Sequence, residues 1–157
     1  MTPDIELIAL PTDEARALIG ELDAELAGPY SAEQRHGLSV EKVFRAGIVF
    51  FVARVDGVAA GCGGVSFEEA GLAELKRMYV RPAYRGRGVA RALIARLEDE
   101  ARARDVARVT LETGDAQVAA MRLYERAGYA RCGAFGAYAR MEAGAVVRSV
   151  FFEKWVR

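Results

Sequence analysis

The stretch Val80-Arg81-Pro82-Ala83-Tyr84-Arg85-Gly86-Arg87-Gly88-Val89-Ala90-Arg91 decides how this chain is read. A β-branched strand end runs into a proline, then a glycine turn, then residues repeating at helical spacing. From Leu75 through Leu97 there is no acidic residue, yet Lys76, Arg77, Arg81, Arg85, Arg87, Arg91 and Arg96 all fall in that window. Arginines at a helix N-terminus face the positive end of its macrodipole, which costs about 0.3–1 kcal/mol per charge unless an anion compensates. An anionic ligand is therefore expected. Gly86, Gly88 and Ala90 keep the turn free of bulk, so successive backbone N–H groups can point at phosphate oxygens with the helix end behind them. A pyrophosphate fits that description better than a solvated arginine loop does. A dinucleotide fingerprint fails, because Arg91 stands where its third glycine belongs and the turn follows several antiparallel strands. No Gly-Lys-Ser or Gly-Lys-Thr is present to make a P-loop.

Working outward, Leu72 to Val80 reads as the third strand of a meander. Its first two strands, Ile48 to Val55 and Val58 to Phe67, are joined by the hairpin dipeptide Asp56-Gly57. Gly61, Gly63 and Gly64 suggest a bulge or a close approach in the second strand. Thr12 and Asp13 cap a first helix carrying Leu18, Ile19, Leu22 and Leu26, which Gly28-Pro29 stops. Ser39 to Ala46 adds a short helix. After the turn, Val89, Leu93, Leu97 and Ala101 share one helix face, and the far end is expected to be solvated, with Glu98–Arg102 and Glu100–Arg104 pairs. Val106 to Thr113 is a strand, Ala116 to Ala127 a helix stopped by Gly128, and Tyr129 to Phe135 and Ser149 to Val156 are strand candidates. Gly136 to Arg148 reads as an irregular loop suited to cover a site. The fold class is α+β, a mixed, mostly antiparallel sheet flanked by helices.

The chain has 157 residues, of which 52% are hydrophobic, enough for one cored domain spanning 1–157. Lys plus Arg and Asp plus Glu number 22 each, and this balance, without aromatics interleaved for stacking, argues against nucleic-acid binding. Cys62 and Cys132 are too few to staple the chain and have no basic partner to activate a thiolate. With one histidine, His36, no metal-ligand set can be assembled, so no metal is expected. No targeting signal or membrane-length apolar run is read, which makes the cytoplasm the expected compartment and a membrane partner unexpected.

At the glycine turn the chain resembles the GNAT superfamily of N-acetyltransferases, within it a subgroup of small bacterial-type acetyltransferases. The family's turn is written Gln or Arg, two residues, Gly, one residue, Gly or Ala, and Arg85, Gly88 and Ala90 match it. Tyr79-Val80-Arg81-Pro82 before the turn and Ala120-Met121-Arg122-Leu123-Tyr124-Glu125-Arg126-Ala127-Gly128-Tyr129 after it resemble the family in order and spacing. Gln117 stands where many members have Asn. The resemblance implies a three-layer GNAT-like fold and acetyl-CoA as cosubstrate. It also implies a splayed strand whose backbone near Met78 and Val80 pairs with the pantetheine arm, and an N–H near Met78 that stabilises an oxyanion. Cofactor contacts are expected from Met78, Tyr79, Val80, Arg85, Gly86, Arg87, Gly88, Val89, Ala90, Arg91, Gln117 and Ala120. A homodimer fits by family analogy.

The expected reaction is acetyl transfer to a primary amine on a small molecule or peptide, by direct attack on the thioester. The alternative is a non-catalytic acyl-CoA-binding regulatory module. An attacking amine must shed its proton, so a base is sought. Glu74 is the one carboxylate on Leu72 to Val80, and by period 2 it shares a face with Lys76, Met78 and Val80. The competing reading is a surface glutamate paired with Lys76 or a cross-strand partner. Tyr124, on the stripe Gln117, Ala120, Met121, Tyr124, is the expected acid for the departing thiolate, and otherwise a core aromatic. Tyr30, Arg35, His36 and Tyr138 are weaker candidates for acceptor contacts.

Overall fold

The computed structural model describes residues 2–157. One mixed sheet of seven strands runs through it in the order β1-β2-β3-β4-β5-β7-β6. The strands are β1 (Asp4–Ile8), β2 (Ile48–Val55), β3 (Val58–Ser66), β4 (Leu72–Val80), β5 (Arg108–Gly114), β6 (Ala130–Cys132) and β7 (Ser149–Trp155). The helices are α1 (Asp13–Ala27), α2 (Val40–Val43), α3 (Val89–Ala103), α4 (Val118–Arg126) and α5 (Ala143–Val146). Adjacent strands are antiparallel except β4 and β5, which run parallel.

Local chemistry explains the meander. Asp56 and Gly57 both take positive φ, 51° and 79°, the pair of left-handed residues that a two-residue hairpin matched to strand twist requires. The Thr12 side chain accepts the Ala15 N–H at 3.1 Å and caps α1, a bond worth about 1 kcal/mol. Two main cores result, one on each face, and Phe135, Tyr138 and Phe151 form a smaller third cluster. Leu18, Ile19 and Leu22 of α1 pack with Phe50, Val52, Cys62 and Tyr79. On the other face Val89, Leu93, Leu97 and Ala101 of α3 pack with Phe51, Ala73, Leu75 and Leu111, together with Tyr124 of α4. The expected apolar face of α3 is buried.

Several expectations need correction. The N-terminal segment, given no strand, forms β1 by pairing with β2; Leu7 on it is 58% exposed, so it lacks the alternation that marks a half-buried strand. The far end of α3 is not wholly solvated. Glu98 is buried and receives the Tyr129 hydroxyl at 2.8 Å and Lys154 Nζ at 3.0 Å. Arg102 approaches Glu98 at 3.8 Å, as expected, but Glu100 pairs back to Arg96 while Arg104 lies over the Phe67 ring. Tyr129 to Phe135 contracts to the short β6, and β7 inserts between β5 and β6. The loop Gly136 to Arg148 is ordered by a 3-10 helix at Gly136–Arg140 and by α5.

The largest correction concerns β4. Arg77 has φ 56°, and the register shifts opposite Cys62–Gly64, a β-bulge that places both Arg77 and Met78 across from Gly63. The bulge breaks the period of 2. Ala73 and Leu75 face α3, yet beyond the bulge it is Met78 and Val80 that pack on that side. Tyr79 packs with α1, and Arg77 reaches the Ile19 carbonyl on the same side. Glu74 and Lys76 therefore do not share a face with Met78 and Val80.

Candidate active site

Strands β4 and β5 pair only from Leu72 to Leu75 against Arg108 to Leu111. Beyond Leu111 the partners of β5 lie on β7 alone, so the edge of β4 from Lys76 to Val80 is left without a strand on that side. Buried backbone polar groups seldom go unpaired. This edge opens into a cleft of about 660 Å³ that runs between the start of α3 and the start of α4.

The glycine turn forms one end. After a 3-10 turn at Pro82–Tyr84, Gly86 and Gly88 take φ 78° and 81°, and Gly88 is the N-cap of α3 in the left-handed region. A Cβ built at either would meet nothing within 4 Å, so the space over the turn is open. The surrounding arginines are less available than their number suggests. Arg77 pairs with Asp23, Arg81 with Glu21 and Arg85 with Glu25, all acids of α1. Arg85 also donates to the Val80 carbonyl at 2.8 Å. Among the described residues Arg87 and Arg91 have no acidic partner, and Arg87 lies over the Tyr84 ring. An anion at the turn would meet the free Arg91 guanidinium, the N–H groups of the turn and the dipole of α3. These residues fit a pyrophosphate.

Of the residues read as cofactor contacts, Met78, Tyr79, Val80, Arg85, Gly86, Gly88, Val89, Ala90, Arg91, Gln117 and Ala120 line the cleft, and Arg87 does not. On α4 the lining is Ala119, Ala120, Leu123, Tyr124 and Arg126 after the N-cap Gln117; Met121 faces elsewhere, with its sulfur near Arg131. Tyr124 is only 7% exposed and packs against Tyr129 and Phe152, so it serves the core and the cleft together. Its hydroxyl has no protein hydrogen-bond partner among the described residues. Burial, and then the nearby Glu112 carboxylate, push the phenol pKa up, so it keeps its proton at any working pH.

Glu74 stands outside the lining. Its Oε2 accepts the Tyr138 hydroxyl at 2.6 Å and Lys76 Nζ at 3.3 Å, and Lys76 also donates to Tyr138 and to the His36 carbonyl. His36 Nε2 lies 2.8 Å from the Ala145 carbonyl oxygen. This cluster ties β4 to the loops around Tyr30–Gly37 and Gly136–Val146. Glu112, which the sequence reading passed over, does line the cleft. It sits on β5 one residue past the last β4 pairing, where Ser149 Oγ donates to it at 2.6 Å. Burial raises its pKa above the ordinary glutamate value, with the Ser149 hydrogen bond and the charges of His36 and Lys76 opposing. The signal was the one carboxylate on β5, but nothing local marks where the strands part. Tyr30, a weak candidate, accepts the Ala116 N–H at 2.9 Å and fills the space over Gly114.

The model of the Acetyltransferase (GNAT) family matches residues 15–129. The chain belongs to the GNAT family. An IAA acetyltransferase from Azospirillum brasilense is 41% identical over 143 residues, 90% of each chain. A crystal structure from Klebsiella pneumoniae, assigned as an acyl-CoA N-acyltransferase, superposes with TM-score 0.78 at 36% identity over 99% of this chain and 98% of that one. The PaiA N-acetyltransferase of Thermoplasma acidophilum, solved with coenzyme A, shares the fold with TM-score 0.71 at 20% identity over 97% and 99%. The mixed seven-stranded sheet matches the fold of these relatives, and in this chain β4 and β5 part after Leu75. Among the described residues no helix is long and apolar enough to cross a membrane, and no group of three metal-ligating side chains occurs.

Proposed function

We propose that the protein transfers acetyl from acetyl-CoA to a primary amine, with Glu112 as the base and Tyr124 as the acid. The observation that carries this reading is one cleft lined at once by an open glycine turn, an unpaired strand edge, a protonated phenol and a partly buried carboxylate. Bound acetyl-CoA supplies the thioester whose carbonyl carbon is attacked. Gly86, Gly88 and Arg91 hold the diphosphate, and the free edge of β4 aligns the pantetheine arm.

Glu112 takes the proton that the amine nitrogen loses as its bond to carbon forms. A carboxylate with a raised pKa accepts that proton more readily than an ordinary one. Tyr124 donates a hydrogen bond to the sulfur as the C–S bond breaks. Because a phenol is a weaker acid than a thiol, its contribution is stabilising and orienting the thiolate, and complete proton transfer is not required. The Glu74, Lys76 and Tyr138 cluster holds the wall beside Glu112. A purely regulatory CoA-binding module would gain nothing from a carboxylate and a phenol placed together at the strand edge.

The test is calorimetric titration with CoA followed by a thiol-release assay with acetyl-CoA and a broad amine panel. CoA binding with turnover of at least one amine is expected. Binding without transfer to any amine overturns the enzymatic reading, and absence of CoA binding overturns the cleft assignment itself.

A further inference from the structure

Two arginines remain outside the cofactor half of the cleft. Arg77 is turned toward α1 by the bulge at its own position, and its side chain is 3% exposed. Its guanidinium is held by Asp23 and by the Ile19 carbonyl, while Nε is buried with no hydrogen-bond partner. A buried donor left unpaired is uncommon and costly. Gly37 lies directly over it, so close that a Cβ there would fall 1.6 Å from Nη1. Arg35, two residues earlier, spends only Nε, on the Ser31 carbonyl at 3.4 Å, and has no acidic partner among the described residues.

Both arginines line the main cleft, and both also line an adjoining pocket of about 310 Å³. Leu26 and Gly37 complete the wall that the two spaces share. Around the smaller pocket the only carboxylate is Asp23, so two guanidiniums face one acid. On the β5 side of the main cleft stands the Glu112 carboxylate, with Lys76 beside it drawn to Glu74. One end of the acceptor region therefore suits an ammonium or amine, and the other suits an anion.

We infer that the acceptor carries a carboxylate as well as its amine: a free amino acid whose carboxylate binds at Arg35, with Arg77 behind it, while its nitrogen is presented to Glu112. A guanidinium offers a planar fork that matches a carboxylate in two parallel hydrogen bonds. Arg77 stays in place with its charge balanced by Asp23, so the net positive charge offered to the ligand is that of Arg35. Amino acids in which the carboxylate is blocked lack this anchor.

This inference rests on the acetyltransfer reading, and its test separates the two. The probes are free L-amino acids, each paired with its carboxamide, in thiol release with acetyl-CoA and in thermal-shift binding to the CoA-loaded protein. Blocking the carboxylate lowers the basicity of the amine, which alone would favour the amide at neutral pH. At least one amino acid is expected to exceed its amide by tenfold or more in kcat/KM and to give the larger shift. Arg35→Gln should erase both differences, Arg35→Lys should restore part of them, and CoA affinity should be unchanged in each. Amides used as well as acids, or a preference that survives Arg35→Gln, overturn the carboxylate subsite and leave acetyl transfer standing. Transfer to no member of the pairs, with CoA bound, overturns the subsite as well.

Discussion

The Tyr138 hydroxyl donates to Glu74 Oε2 at 2.6 Å, and Lys76 Nζ closes the triangle at 2.9 Å from the tyrosine oxygen. Burial first, and then the Glu74 carboxylate, push the Tyr138 pKa up, so the bond is that of a neutral phenol to a carboxylate. A carboxylate engaged by two donors and set outside the cleft is placed to hold structure. Hydrogen bonds to charged groups contribute roughly 1.5–3 kcal/mol. Tyr138→Phe is therefore expected to lower thermal stability while leaving CoA affinity intact. Glu74→Gln should reduce kcat/KM less than tenfold, chiefly through the acceptor KM. A loss in kcat equal to that of Glu112→Gln would return the base role to Glu74.

Glu112→Gln should lower turnover by about 10²- to 10⁴-fold near neutral pH, with recovery as pH rises and the amine deprotonates in solution. The side-chain amide introduced by this change can still accept from the Ser149 hydroxyl, so the variant should fold. Its stability gives an independent check. Because the folded pKa of Glu112 is raised, the folded state keeps a proton that the unfolded chain releases above about 4.3. Stability from the neutral form is full below that pH and is lost as pH rises through the folded value. Wild type should therefore lose stability relative to Glu112→Gln as pH climbs from 4 toward neutrality, measured by thermal melts. A gap independent of pH would show that Glu112 titrates as it does unfolded.

Gly88 at φ 81° and the unpaired Arg91 carry the phosphate site in this reading, whereas Arg85 is already occupied by Glu25 and the Val80 carbonyl. The left-handed region costs a non-glycine residue about 1–2 kcal/mol. Gly88→Val is expected to lose modest stability and much more CoA affinity. Arg91→Ala should weaken CoA binding several-fold, with a marked salt dependence. Arg85→Ala should act mainly on stability by freeing Glu25 and the carbonyl. Calorimetry at two ionic strengths checks all three, and equal CoA losses for Arg85→Ala and Arg91→Ala would contradict the assignment.

Much of this was legible locally. Asp56-Gly57 announces its own turn, Val89, Leu93, Leu97 and Ala101 announce a buried helix face, and Arg85, Gly88 and Ala90 announce the family. What the sequence withholds depends on distant partners. The bulge at Arg77 follows from pairing with Gly63, and it inverts the face of every later residue on β4. The neutralisation of Arg77, Arg81 and Arg85 depends on Asp23, Glu21 and Glu25, more than fifty residues away. Glu112 becomes a site residue only because β4 and β5 separate beside it.

Tyr124 offers the cleanest separation of chemistry from packing. Its ring is buried against Tyr129 and Phe152, while its hydroxyl has no protein partner among the described residues. Tyr124→Phe preserves the ring and removes only the hydroxyl, so stability should change by no more than about 0.5 kcal/mol, the range of substitutions that break no contact. CoA affinity should also survive. Turnover should fall, and unlike Glu112→Gln it should not recover at high pH, because free hydroxide can deprotonate the amine but cannot place a donor at the sulfur. A thiolate can leave without a full proton, so the loss should lie toward the lower end of the roughly 10²- to 10⁴-fold range for a positioned proton donor. A thioester with a more acidic leaving thiol should shrink the defect, since it needs less stabilisation as the C–S bond breaks. Rates measured against pH with acetyl-CoA and with a thioester of an acidic aryl thiol check both points. Wild-type rates in Tyr124→Phe would assign the residue to the core alone, and a defect indifferent to the leaving thiol would assign the hydroxyl to binding the acceptor instead.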